Sequence, residues 1–133
     1  MKTYLTSIGI TYLLIVLMTS SFNYKEETVV SWYGPKFHGR LTANGEIFNQ
    51  NDLTAASPNL PFNTFVLITN TENNKSVIVR INDRGPYKMN KNGKVLRPLR
   101  PHPTRKFDLS KRAFNEIANL DKGVIRVKYK ILK

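Results

Sequence analysis

Between residue 28 and residue 85 the chain is divided into short β-like runs, TVVSWY (28–33), LTAA (53–56), TFVLIT (64–69) and SVIVRI (76–81), separated by turn-forming residues. Strands this short and closely spaced suit a small all-β barrel or sandwich. Asn44-Gly45 supplies positive φ at low cost, and NTENNK (70–75) is a polar connector between two runs that are apolar at nearly every position. Runs without polar alternation are expected to be buried on both sides, as in a closed barrel whose outer face is also covered.

The last third reads differently. Ser110 can cap a helix over KRAFNEIANL, with Ala113, Ile117 and Leu120 on one face and Gly123 at its end. VIRVKYKIL (124–132) then alternates Val, Val, Tyr and Ile with Arg and Lys, the pattern of a final strand. The helix is expected to close one side of the barrel. Residues 86–107 hold four prolines and seven Lys or Arg, which predicts a long basic loop or a short extra hairpin turning at Asn92-Gly93.

At 133 residues and 41% hydrophobic, the chain can bury one core but not two. Its start carries Lys2, an apolar run from about Ile8 to Met18 and then Thr19, Ser20 and Ser21, which is the layout of a signal peptide. Residues 1–23 are therefore predicted as a leader and 24–133 as the domain. The apolar run is shorter than a comfortable membrane span of roughly 20 residues, so an uncleaved membrane anchor is the second choice, and after cleavage no stable span is expected. With no cysteine, stability must come from packing and backbone pairing. No thiol can act as nucleophile, and with two histidines a zinc site is not expected; no cofactor is implied. The net charge of +12 predicts a polyanionic partner, for which cell-wall polymers, anionic lipid headgroups and extracellular nucleic acid all qualify, or else serves only to keep the protein soluble.

Acid–base chemistry must draw on nine carboxylates, of which Glu46, Asp52, Asp83 and Asp108 stand beside strand ends or turns. Asp83 follows SVIVRI directly, where the chain leaves the core, and a carboxyl held there is placed to hand over a proton. The same residues also read as a plain turn, with Asn82 and Asp83 bonding their own backbone and Gly85 taking positive φ, or as an Asp83–Arg84 ion pair. Spacing alone favours the turn. Asp108 reads as a helix-capping group or a partner of Arg105. Trp32, Tyr33, Phe37 and His38 cluster in SWYGPKFHG, suited to cover sugar faces, although Trp32 fits the core equally well. Neither a G-x-S-x-G elbow nor a Walker loop is present.

Taken in order, SWYGPKFHGRLTANGEIFNQNDLTAA (31–56), LPFNTFVLITN (60–70), VIVRINDRGP (77–86) and DLSKRAF (108–114) resemble the rare lipoprotein A-like family of septal-ring lytic transglycosylases. The resemblance covers about residues 29–132. It implies a mainly β fold, a six-stranded double-psi β-barrel with one short helix. It also implies cleavage of peptidoglycan between N-acetylmuramic acid and N-acetylglucosamine without water, leaving 1,6-anhydro ends. By position, Asp83 falls on the aspartate of the family's NDRGP motif and Glu46 on the glutamate of its TANGE motif. The resemblance thus implies Asp83 as general acid/base, Glu46 as a second groove carboxylate, Arg84 as an orienting group, and Tyr33, His38, Asn44 and Ser57 as substrate-binding residues of the groove. Family members often carry histidine where this chain has Ser57, and they pass from NDRGP to DLS within a few residues, where this chain inserts its basic segment.

Two functions follow from different classes: an exported, monomeric lytic transglycosylase of the periplasm or cell envelope, or a non-catalytic, expansin-like module that binds peptidoglycan. Ser57 in place of histidine favours the second. Nucleic acid is not an expected partner, because the leader directs export and the basic residues lack interleaved stacking aromatics.

Overall fold

The computed structural model describes residues 26–133, and the predicted leader lies outside the described residues. Six strands and one helix follow in the order β1 (Glu26–Trp32), β2 (Thr54–Ala56), β3 (Phe65–Asn70), β4 (Ser76–Asp83), β5 (Arg105–Leu109), α1 (Lys111–Ile117) and β6 (Val124–Ile131). The strands close in the order β1-β5-β2-β4-β3-β6, with β6 pairing back onto β1. Two pairs, β1/β5 and β2/β4, are parallel, and the other four are antiparallel. This is the six-stranded double-psi β-barrel that the motifs implied, and closure leaves no free sheet edge.

Every strand contributes to the barrel interior, which is filled by Val30, Ala55, Val66, Ile68, Val79, Ile81, Phe107, Leu109 and Val127. Phe114 and Ile117 of α1 are fully buried against that core, so the helix closes one side of the barrel as expected. Ser110 caps α1: its hydroxyl accepts from Ala113 N at 3.1 Å and donates to Asp52 O at 2.5 Å. No helix among the described residues is long and apolar enough to cross a membrane.

Three expectations need correction. The helix stops at Ile117 instead of running to Leu120, because Asn70 and Asn73 both donate to the Ile117 carbonyl and the Trp32 indole donates to that of Leu120. Gly123, at φ 69°, ends a following 3-10 turn. Second, RKFDL is a strand, β5, and not the tail of a loop. Third, the outer barrel face is not covered: Ile78 and Phe65 stand 48% and 44% exposed, so β4 alternates after all, with apolar residues on both faces. The basic segment does form a hairpin turning at Gly93, with bridges Tyr87↔Pro101 and Met89↔Val95.

The two faces predict unequal costs. Phe114→Ala leaves a cavity beneath the helix and should cost about 3–5 kcal/mol of unfolding free energy in urea titrations. Ile78→Ala on the outer face should cost about 1 kcal/mol or less.

Candidate active site

The parallel ladder between β2 and β4 contains a bulge. Thr54 pairs with Arg80 and Ala55 with Ile81, but Ala56 pairs with Asp83, so one residue of β4 is skipped. The skipped residue is Asn82, which is buried immediately after buried Ile81. In a regular ladder Ala56 would face Asn82; the bulge re-aims the strand and brings Asp83 to that position. On the other side of β2, Ala56 stands opposite Asp108 of β5, and Asp108 is in turn opposite Ser31 of β1. Directly paired residues share a face of the sheet. Ser31, Asp108, Ala56 and Asp83 therefore form one row across four strands. With strands about 4.8 Å apart, the backbones of the two aspartates are roughly 10 Å apart, separated by a methyl group.

All four residues line a cleft of about 420 Å³. Tyr33 and Phe37 line it as well, Arg84, Gly85 and Pro86 follow Asp83 in its lining, and Tyr87, Met89 and Val95 of the basic hairpin supply further apolar lining. The Asp83 carboxylate is positioned by three donors: Tyr33 Oη to Oδ2 at 2.7 Å, and the backbone amides of Ala43 and Arg84 to Oδ1, each at 2.8 Å. Tyr33 is itself fixed by stacking on Phe48, with ring centroids 4.4 Å apart, and by an edge contact with Phe37 at 5.5 Å. Burial, followed by the nearby charge of Asp83, pushes the Tyr33 hydroxyl far above the ordinary tyrosine range, so it remains a donor. Gly85, buried at φ 123°, lets the chain turn away immediately after this site.

Asp108 is the second carboxylate of the cleft. Ser31 Oγ donates to its Oδ1 at 2.7 Å, and Arg105 Nε lies 3.4 Å from the same oxygen. The pairing with Arg105 was foreseen; the place in the cleft was not. The signal was present in RKFDL: Phe107 and Leu109 take the core, so Asp108 between them must face outward.

The structure brings Asp83, Tyr33 and Arg84 together in the cleft, whereas Glu46, His38, Asn44 and Ser57 do not line it. Glu46 is held by Arg80 through two hydrogen bonds of 2.6 and 2.8 Å and by Asn44 at 2.8 Å. Asn44 serves that turn, its Oδ1 accepting from Thr42 Oγ1 and Glu46 N. His38 is exposed, with Nδ1 accepting from Gln50 N at 3.1 Å. The Ser57 hydroxyl is buried, accepting from the amides of Asn59 and Leu60, so it caps a turn. Arg84 does not pair with Asp83 through its side chain: the guanidinium lies 3.9 Å from the Phe62 ring centroid and donates to the carbonyls of Ser57 and Leu60. Its orienting contact to Asp83 is its backbone amide. Trp32 reaches the cleft edge but packs mainly on the core, 6.5 Å from Phe114. Among the described residues no group of three His, Cys, Asp or Glu is arranged to hold a metal.

A family model described as lytic transglycolase matches residues 25–129. The chain belongs to that family. A Campylobacter jejuni member, named endolytic peptidoglycan transglycosylase RlpA, is 43% identical over 104 residues, covering 78% of this chain and 33% of that protein. The chain spans about a third of the length of the curated relatives it matches. Among solved structures, the barrel is similar to Streptomyces papain inhibitor, with a TM-score of 0.57, 19% identity and coverage of 84% of this chain and 98% of that one. It is also similar to a Clavibacter michiganensis expansin, with a TM-score of 0.55, 14% identity and coverage of 80% and 50%. At such identities these two likenesses establish the fold alone. Asp83 and Asp108 thus lie in a cleft of a family-typical barrel.

Arg80 and Asn44 hold the Glu46 carboxyl down from its usual 4.5 to about 2. A carboxylate lowered on folding stabilises the fold above its unfolded value and loses that contribution as pH falls through the folded one. Wild type should therefore lose urea resistance between about pH 4.5 and about pH 2, and Glu46→Gln should show a flatter profile over that window.

Proposed function

We propose that this chain is an exported peptidoglycan lytic transglycosylase in which Asp83 is the general acid/base. The observation that carries this reading is the Asp83 carboxylate, aimed into the cleft by the β4 bulge and held by three donors. Family membership and the activity for which the Campylobacter relative is named support this reading, and the leader-like residues 1–23 support export to the compartment where peptidoglycan lies.

In this reading a glycan strand lies along the row Ser31–Asp108–Ala56–Asp83, and Ala56 leaves room for the sugar ring between the carboxyls. Protonated Asp83 gives its proton to the glycosidic oxygen as the bond from the muramic acid C1 breaks. The C6 hydroxyl of the same sugar then attacks C1, and its proton passes to Asp83, which restores the starting state. A bond from C1 to O6 replaces the bond from C1 to the leaving oxygen, and no water is consumed. The Tyr33 hydroxyl and the amides of Ala43 and Arg84 keep the carboxyl oriented in both states. Asp108, and not Glu46, is the carboxylate placed to stabilise positive charge developing at the anomeric carbon. Glu46 keeps the TANGE turn that presents the Ala43 amide.

A non-catalytic wall-binding module is the second reading. It is favoured by Ser57, which stands where the family resemblance implies a histidine and whose hydroxyl is engaged in its own turn. One experiment separates the two. Purified protein incubated with cell-wall sacculi should release muropeptides with 1,6-anhydro ends, detected by mass spectrometry. Asp83→Asn should reduce the yield by about 10²- to 10⁴-fold, and Glu46→Gln by far less. Retention on sacculi without product would establish the binding module instead; undiminished product from Asp83→Asn would remove that residue from the mechanism.

A further inference from the structure

The hairpin that walls the cleft is the most one-sided part of the chain in charge. Between Gly85 and Phe107 there is no Asp or Glu. Lys88, Lys91, Lys94, Arg97 and Arg100 are all exposed on it, and among the described residues none of the five forms an ion pair. Holding like charges together without compensation works against folding, yet the hairpin is well made. Lys88 N donates to Arg100 O at 2.8 Å, Leu96 N to Lys88 O at 3.0 Å and Asn90 N to Lys94 O at 2.8 Å. The Asn90 side chain accepts from the amides of Asn92 and Lys94, closing the tip. At the base, His102 N donates to Pro86 O at 3.0 Å, which ties the hairpin to the segment directly following Asp83.

Tyr87, Met89 and Val95 give the cleft apolar lining, and the five exposed cations, which are not part of that lining, belong to the same hairpin within a few residues of them. A saccharide chain in the cleft would lay its apolar ring faces on the wall, and anionic substituents projecting from it would meet the cations. The geometry points to the 87–101 hairpin as a charge-reading wall that binds the carboxylates carried by a wall glycan strand, and so distinguishes it from neutral polysaccharide. This rests on the proposed substrate, since it is the strand seated at Asp83 that the hairpin reads. Because the hairpin is ordered before substrate arrives, little conformational freedom is lost on binding.

Such carboxylates come from two sources, the lactyl group of muramic acid in peptide-free strands and the stem peptides where those are attached. The test measures binding of both kinds of fluorescently labelled strand by anisotropy, each with its carboxyls free or amidated by carbodiimide and methylamine. The protein is the full chain carrying Asp83→Asn, so that nothing is cut. Amidation should weaken binding roughly tenfold at low salt, and the difference should vanish near 1 M salt, where the screening length is about 3 Å. Replacing all five cations by serine should abolish the discrimination; the pair Lys91→Ser and Lys94→Ser, at the tip and least able to disturb folding, should reduce it. Whichever strand type loses more on amidation identifies the carboxylate that is read. Equal binding of free and amidated strands, or unchanged discrimination in the five-fold variant with an unaltered unfolding midpoint, overturns the inference. Product release by wild type is measured separately, so a protein that binds by charge but never cuts would refute the transglycosylase reading and leave the hairpin's role standing.

Discussion

One skipped residue in the β2/β4 ladder decides which side chain the cleft presents. Without the bulge, Ala56 would face Asn82, and the cleft floor would carry an amide where it now carries a carboxylate. The shift also leaves Asn82 buried, with its side-chain nitrogen 3.5 Å from Glu46 Oε2 and its backbone carbonyl accepting from Asn44 N at 3.4 Å. Bulges beside functional sites commonly re-aim one side chain in this way.

The groups around Asp83 divide between those that present it and those that hold the presenters. Tyr33 and the amides of Ala43 and Arg84 bond the carboxylate directly. Phe48 and Phe37 hold the Tyr33 ring, and Glu46 with Arg80 and Asn44 holds the turn from which Ala43 donates. The Arg84 guanidinium ties the 57–62 loop to the end of β4. Several charged residues near the cleft thus serve as scaffolding, their side chains engaged by protein partners. Asp83 and Asp108 differ in lining the open cleft while keeping only part of their bonding capacity occupied.

A second cavity, of about 450 Å³, lies beyond Arg105 and is lined by Ser57, His102, Lys106, Tyr129 and Glu26 among others. Its one carboxylate, Glu26, is bonded to Tyr129 at 2.7 Å and paired with Lys106, so it offers no free acid to a substrate. Arg105 lines both cavities.

The amino-acid order alone carried most of the architecture, because local patterning is readable without neighbours. Strand-forming runs between turn residues gave five of the six strands within a residue or two, and Ser110 marked the start of α1. Asp83 was legible as a candidate from its place at the end of an apolar run within a known motif. Only the closed barrel could decide the rest. Whether Asn82 or Asp83 faces the cleft depends on a register between strands more than twenty residues apart. Whether Glu46 or Asp108 is the second carboxylate depends on which strand lies beside Ala56. Arg84 follows Asp83 in the chain, yet its side chain leaves for Phe62 and two carbonyl groups. Sequence proximity constrains a backbone amide to its neighbour, but a long side chain goes where packing and unsatisfied acceptors draw it.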